Sequence, residues 1–347
     1  MVKQLGTKKV SIMDVAKEAG VSITTVSRVV NRSGVVSKKT QENVLQVIEK
    51  LRYKPDISAR LLASKQVGKI LGIVSPYFEG IFGSYYFSEI MRGINSVSMK
   101  EELDTLFHLS GHFTSMELSN RLVFNPSFVQ GVLLIDLDGD ESKVKNLKEE
   151  NLSFVVINHY LENLSVHCIG IDNRSAAINA VNYLIEIGHR RIAAITGNLS
   201  TQAGIGRLEG YKKSLIDHGF DVRDDYIVGN SFHPDDARKS MEALLNLPQH
   251  PTAVFVASDE MAQEAMDVIF ERGLKVPDDI SMIGFDDEPL AAKARIPLTT
   301  LQQPLFDMGK MAAELILDII QKPDKTEETK ILLPTQLIKR ESCKSIG

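Results

Sequence analysis

Cysteine is nearly absent: Cys168 and Cys343 are the two in 347 residues, and they have no metal-ligand spacing. Two cysteines in so long a chain do not make a disulfide framework, and both read as structurally incidental. Long apolar runs are also missing, none approaching the roughly 20 residues of a membrane span, and the N-terminus lacks an apolar segment before a small-residue cleavage site. A cytoplasmic protein without membrane contact is expected. Catalytic motifs fail one by one. Gly204-x-Gly206 with Gly210 has one residue too many for a dinucleotide fingerprint, and neither a P-loop nor a GxSxG elbow occurs. Asp136-x-Asp138-Gly139-Asp140 puts its glycine at the fourth position of a would-be calcium loop, and Leu147 occupies the twelfth. His108 and His112 are separated by Ser110 and Gly111, a strand end and loop instead of a zinc-binding helix. These failures favour a sensor over an enzyme, with no cofactor and no metal.

What is present suits a folded core, with 43% hydrophobic and 24% charged residues. Charge is sorted along the chain. Residues 1 to 66 carry 13 Lys and Arg against 5 Asp and Glu, net +8, whereas the whole chain is net −5 and its remainder therefore −13. A basic head on an acidic body suits a protein whose head alone touches phosphate.

Within that head, residues 10 to 31 (VSIMDVAKEAGVSITTVSRVVN) read as two short helices around a glycine turn. Ser11 can cap the first helix while Asp14 reaches back to it, with Ile12, Val15, Ala16 and Ala19 at helical spacing behind them. Gly20 breaks the helix. Ser22 can cap a second one in which Val26, Val29 and Val30 face inward, leaving Ile23, Thr24, Ser27 and Arg28 outside near its N-terminal end. A third amphipathic segment follows Ser37, with Val44, Val47, Ile48 and Leu51 on one face. An ordinary three-helix bundle would show the same periodicity; the charge asymmetry favours DNA binding.

From residue 69 the chain alternates apolar strands with amphipathic helices, the signature of parallel βαβ units. Strands are expected at 70–75, 105–109, 131–136, 154–158, 168–172, 192–196, 253–257 and 281–285, and helices at 88–100, 176–187, 208–218, 235–245, 261–272 and 305–320. So many strands exceed one compact sheet. The expected fold is an all-α helix-turn-helix headpiece plus an α/β core of two doubly wound parallel-sheet subdomains, with ligand beyond the strands' carboxyl ends.

The head motif, then YKPDISARLLAS, RLEGY, ASDEMA and ISMIGFDD, resemble the lactose/galactose repressor family of bacterial regulators over nearly the whole chain. The resemblance implies a headpiece at 1–54, a hinge helix and linker at 55–66, and a core at 67–347 similar to periplasmic sugar-binding proteins. Within the core, the first subdomain would span about 67–168 and 300–328, and the second about 169–299 and 329–347. It also implies a homodimer on an inverted-repeat operator in double-stranded DNA; with no leucine heptads following the LPTQLIKRES segment, no tetramer is expected.

Carried over residue by residue, the base-reading positions fall on Ile23, Thr24 and Arg28. Arg28 can donate two parallel hydrogen bonds to guanine, Ile23 can press on a thymine methyl, and Thr24 is permissive. Ser11, Ser22, Thr25, Ser27 and Asn31 suit backbone phosphates, although helix capping is an equal role for Ser11 and Ser22. Ser58, Ala59 and Arg60 match the hinge, in which Leu62 would wedge into the minor groove. A helix of that length should order only on DNA. Asp56 departs from the family's usual asparagine, so its charge is wrong for a phosphate contact.

In the core, Arg207 and Asp286 align with positions that grip the effector, and the pair suits vicinal hydroxyls. Asn158 aligns with another polar position. Ser258 stands where relatives often carry asparagine, and Asp259 beside it is expected to cap a helix. Ser75 with Pro76, Tyr77, Phe78, Phe82 and Tyr86 brings polar and aromatic groups to the end of the first strand, where rings can stack on a ligand or pack into the core. The function expected is a repressor switched by a small sugar or sugar phosphate. A purine, nucleoside or phosphoprotein corepressor is the alternative within the family, and a sugar-transport protein the alternative outside it.

Overall fold

Ser11 begins the first helix. Its hydroxyl accepts the Asp14 amide at 3.3 Å while its own amide and hydroxyl donate to the Asp14 carboxylate at 2.8 and 2.7 Å, a complete capping box. The helix, α1 (Ile12–Ala19), ends at Gly20, whose φ of +64° is the left-handed conformation glycine adopts without steric cost. Next comes α2 (Ile23–Val30), started by Ser22, whose hydroxyl accepts the Thr25 amide at 3.1 Å. The third helix, α3 (Lys38–Leu51), starts in the same way from Ser37. Val15, Ala16, Ala19, Val26, Val29, Val44 and Val47 are buried between the three helices, and Val30 is partly buried beside them.

The computed structural model describes residues 10–30, 34–53, 69–76, 80–110, 121–136, 144, 152–159, 165–322 and 328–346. Asn31, the hinge positions Asp56, Ser58, Ala59, Arg60 and Leu62, and the cleft candidates Tyr77 and Phe78 lie outside the described residues. The chain divides into two units, Met1–Val67 and Gly68–Gly347.

The larger unit holds two six-stranded sheets. The first contains β1 (Ile70–Pro76), β2 (Asp104–Ser110), β3 (Gly131–Ile135), β4 (Phe154–Ile157), β5 (Cys168–Ile171) and β11 (Lys330–Leu333), in the order β11-β5-β4-β3-β1-β2. Every neighbouring pair in it is parallel. In the second are β6 (Ile192–Ile195), β7 (Ile227–Val228), β8 (Ala253–Val256), β9 (Ser281–Asp286), β10 (Thr299–Gln302) and β12 (Gln336–Ile338), in the order β12-β10-β9-β8-β6-β7. Only β12 is antiparallel among its pairs, lying against β10. Central strands such as GVLLI and AVFV are buried along their whole length, as strands covered by helices on both faces must be.

Crossings between the sheets come later than the sequence suggests. Cys168–Ile171 pairs with β4, Thr299–Gln302 pairs with β9, and Lys330–Leu333 pairs with β5, so the expected boundaries at 168/169, 299/300 and 328/329 are each displaced by a few residues. Which sheet a short strand joins is decided by a distant hydrogen-bonding edge, not by its own periodicity.

Helices α4 (Tyr85–Lys100) and α10 (Leu305–Gln321) anchor the returning chain to the first sheet. A Cβ on Gly93 would lie 2.1 Å from the Phe306 carbonyl oxygen, and one on Gly309 would lie 2.1 Å from that of Ile90, so both glycines permit the close approach. The second subdomain carries α5 (Asn173–Glu186), α6 (Gln202–Asp217), α7 (Pro234–Leu245), α8 (Asp259–Glu271) and the short α9 (Pro289–Lys293). Helix α6 begins six residues before its expected start at 208 and so includes Gly204 and Gly206. Gly204 closes on the Asn198 carbonyl and Gly210 on the Arg174 carbonyl, where a Cβ would sit 2.1 and 2.3 Å away. These glycines serve close packing, not phosphate binding.

Candidate functional site

In the head, α2 presents Ile23, Thr24 and Arg28 to solvent, with Ile23 47% exposed although apolar. The stem of Arg28 lies near Gly34, whose φ is +74°. Ser22 and Thr25 share a hydroxyl contact of 2.9 Å, and Ser11 is bound to Asp14 as its cap. Thr25 and Ser27 are partly buried.

In the core, non-glycine residues take positive φ at the carboxyl ends of strands, Asp287 after β9 (+56°) and three others: Asp136 after β3 (+47°), Asn158 after β4 (+58°) and Asp286 closing β9 (+114°). Left-handed backbone in such residues costs of order 1–3 kcal/mol each and gathers at ligand sites. Asp136, Asn158 and Asp286 belong to one buried polar cluster.

Arg207, on α6, is 4% exposed overall. Its Nε donates to Oδ1 of Asn173 at 3.0 Å, its Nη1 donates to the Ala257 carbonyl, and its Nη2 lies 3.9 Å from Oδ1 of Asp286. The guanidinium stacks 3.6 Å from the centroid of the Phe285 ring, with Phe232 at 5.8 Å. Burial lowers the Arg207 pKa from its ordinary value, and Asp286 opposes that shift. Asp286 also accepts from the Gln303 side-chain amide. Burial pushes its carboxyl up to about 6 although Arg207 and Gln303 pull the other way.

Asp136 and Asn158 come from the first sheet. Oδ1 of Asp136 accepts from the Tyr86 hydroxyl and from Asn158 Nδ2, each at 2.9 Å, and Asn158 Nδ2 also donates to the Tyr86 oxygen at 2.7 Å. Burial pushes the Asp136 carboxyl to about 6, with the Asn158 and Tyr86 hydrogen bonds and then the Arg207 charge lowering it. Arg207 thus acts electrostatically on both carboxylates, one from each subdomain. Two side-chain oxygens here, Asn158 Oδ1 and Gln303 Oε1, are buried and accept no hydrogen bond among the described residues.

Arg207 with Asp286, and Asn158 with Asp136, thus lie in one buried polar cluster. Ser75 is buried one residue before the end of β1, where its hydroxyl donates to the Pro76 carbonyl at 3.3 Å. Phe82 is 75% exposed and meets Phe87 edge-on. Ser258 is buried and caps α8, accepting the Met261 amide at 3.3 Å. That corrects the expectation for Asp259, which is the first helical residue and is fully buried. It accepts from Thr300 Oγ1 at 2.6 Å and the Glu288 amide at 2.9 Å, because Ser258 one residue earlier already holds the cap geometry. Asp136 and Gln303 were missed. Asp136 ends an expected strand, and an acid there was the available signal; Gln303 follows a strand that periodicity did not show. No group of three or more His, Cys, Asp or Glu residues able to hold a metal ion occurs among the described residues.

Residues 11–56 match the family described as bacterial regulatory proteins, lacI family, and residues 181–343 match the periplasmic binding protein-like domain. The chain is 34% identical to catabolite control protein A of Priestia megaterium, covering 96% of this chain and 99% of that one. It is also 34% identical to the HTH-type transcriptional regulator CelR of Thermobifida fusca, over 94% and 96%. Among solved structures, the lac repressor dimer bound to operator and the anti-inducer ONPF aligns with a TM-score of 0.83 at 27% identity, over 97% of this chain and 100% of that one. A CelR–cellobiose complex aligns at 0.72 with 30% identity, over 96% and 99%. With its capped three-helix head, its two-sheet core and relatives matched over almost their full length, the chain belongs to the lacI family of bacterial regulatory proteins.

Proposed function

We propose that this regulator is a homodimeric repressor of a carbohydrate-utilisation operon whose affinity for an inverted-repeat operator is switched by a sugar held between the core subdomains. The observation that carries the reading is the buried cluster of Arg207, Asp286, Asp136 and Asn158, drawn from both sheets and containing two side-chain oxygens with no donor. Buried polar atoms in a folded chain are nearly all hydrogen-bonded, and a ligand rich in hydroxyls would satisfy these two. The CelR complex with cellobiose and the lac repressor complex with operator and an anti-inducer support both halves of the reading.

In the head, Arg28 reads a guanine while Ile23 and Thr24 test neighbouring base edges. Thr25, Ser27 and Asn31 serve the phosphates, Ser11 and Ser22 add to their capping role there, and Leu62 wedges into the minor groove. Under the same proposal, Ser258, Ser75, Tyr77 and Phe78 make further contacts with the effector. Effector binding redistributes the core between two arrangements; moving a 1:99 equilibrium to 99:1 needs about 5.5 kcal/mol of differential binding, within reach of a few charge-assisted hydrogen bonds made in one state only.

Calorimetric titration of mono- and disaccharides against the full chain and against Asp286→Ala tests the site. Saturable binding by the wild type, weakened at least about tenfold in the variant, is the expected result. Equal binding by both proteins would move the effector elsewhere.

A further inference from the structure

The fully buried side-chain atoms left unpaired in the cleft among the described residues are acceptors, Asn158 Oδ1 and Gln303 Oε1, on residues 6% and 5% exposed. Neither amide can be turned over to offer a donor instead. Asn158 Nδ2 already faces the Asp136 carboxylate and Gln303 Nε2 that of Asp286, so a flip would set oxygen against oxygen. Both hydrogen bonds to Asp136 fall on Oδ1, as does the Gln303 bond to Asp286, leaving Oδ2 of each carboxylate without a donor among the described residues.

Charge is one-sided. Arg207 is the cation of the cluster, and it is engaged with Asn173, the Ala257 carbonyl and Asp286. Asp136 is held only by neutral donors, Tyr86 and Asn158. Behind Asp286 stand Asp259, Glu260 and Glu288, which act electrostatically on it or on one another. A desolvated carboxylate whose hydrogen-bond donors are all neutral is costly, and a ligand bringing a second negative charge would add to that cost.

Resting on the effector reading above, we infer that the cleft selects a donor-rich sugar bearing an amino group, placed against Asp136, over its neutral parent, and excludes phosphorylated sugars and uronates. A protonated amine supplies three donors and the missing positive charge, while a phosphate supplies acceptors where acceptors are already in excess.

The test has two arms. In the first, glucose, glucosamine, glucose 6-phosphate and glucuronate, with the matching galactose series, are titrated against the full chain and Asp136→Asn by calorimetry. The amino sugar should bind about tenfold tighter than its neutral parent, the anionic members should not bind measurably, and Asp136→Asn should erase the amino preference. Tightest binding by a phosphate or a uronate overturns the inference, as does an amino preference that survives in Asp136→Asn. The second arm needs no ligand. Asparagine keeps an oxygen for Tyr86 but removes the buried charge, so Asp136→Asn should melt at a higher temperature than wild type at about pH 7.5 and lose that advantage as pH falls through about 6 to about 3.8, where Asp136 is protonated in the folded and the unfolded chain alike. Tyr86, Asn158 and Arg207 face Asp136, and Asp286 is coupled to it by charge, in both proteins, so the comparison isolates the Asp136 charge together with its effect on Asp286. A lower melting temperature at both pH values overturns the charge assignment. Failure of every sugar to bind, with the stability arm fulfilled, defeats the sugar reading while the charge assignment stands.

Discussion

Arg207 and Asp286 sit 3.9 Å apart in the core, each side chain about one-twentieth exposed, on a helix and at the end of a strand that meet only in the folded chain. Their charges offset each other, and the Phe285 ring beneath the guanidinium fixes its plane. Removing either partner leaves the other buried and alone. Arg207→Ala is therefore expected to lower stability by about 3 kcal/mol and to abolish effector binding, because breaking a buried pair costs more than the pair contributes. Urea unfolding and ligand titration check the two effects. Arg207→Lys should fold better than the alanine variant yet still lose effector binding, since an ammonium cannot reach Asn173, Ala257 and Asp286 together from one planar fork.

Glu288 gives a pH signature. Burial first, then the neighbouring Asp286, Glu260 and Asp259, push its carboxyl up to about 9. A raised carboxyl pKa means that the folded protein holds the proton more tightly than the unfolded chain, so this contribution to stability is complete below about 4.5 and is lost as pH rises through about 9. Glu288→Gln should match wild type in melting temperature only below about pH 4.5, pull ahead as pH rises, and hold its full advantage above about pH 9. Melting curves across this range check it, and a constant difference at every pH would show that charge is not involved.

Ser11 separates two roles in the headpiece. Its hydroxyl is donated to Asp14 and accepts the Asp14 amide, so Ser11→Ala should destabilise the three-helix unit by about 1 kcal/mol. Thermal unfolding and DNA titration on the same variant distinguish the functions: loss of operator affinity with unchanged stability would make it a phosphate contact alone.

Arg28 should specify and not merely attract. Arg28→Ala is expected to relax preference at one guanine in each half-site by about 1–3 kcal/mol, read by competition among single-base operator variants. Uniform weakening across all sequences would reduce its role to phosphate contact.

The head was legible because local rules govern it: Ser11 with Asp14, Gly20, and apolar spacing in which Val15, Val26 and Val44 are all fully buried. Strands such as Gly131–Ile135 were equally plain, since burial on both faces demands a continuous apolar run. The two-residue strand Ile227–Val228 and the edge strand Lys330–Leu333 were not, the first being too short for periodicity and the second having exposed Lys330 and Leu332. At the site, Arg207, Asp286 and Asn158 could be found by resemblance, but the hydrogen bond from Tyr86 to Asp136 spans 50 residues and that from Gln303 to Asp286 depends on which sheet β10 joins. Long-range partnership of this kind leaves no local pattern in the residues that form it.

The central claim is that one chain joins operator reading to sugar sensing. Selection of the purified protein on a randomised DNA pool, repeated with and without a panel of sugars and purines, tests it most directly. The account predicts an inverted repeat whose affinity shifts with a sugar, the shift disappearing in Asp286→Ala. An inverted repeat unmoved by every sugar, or moved equally in Asp286→Ala, would contradict the assignment of the cleft, and the absence of any inverted repeat would contradict that of the head.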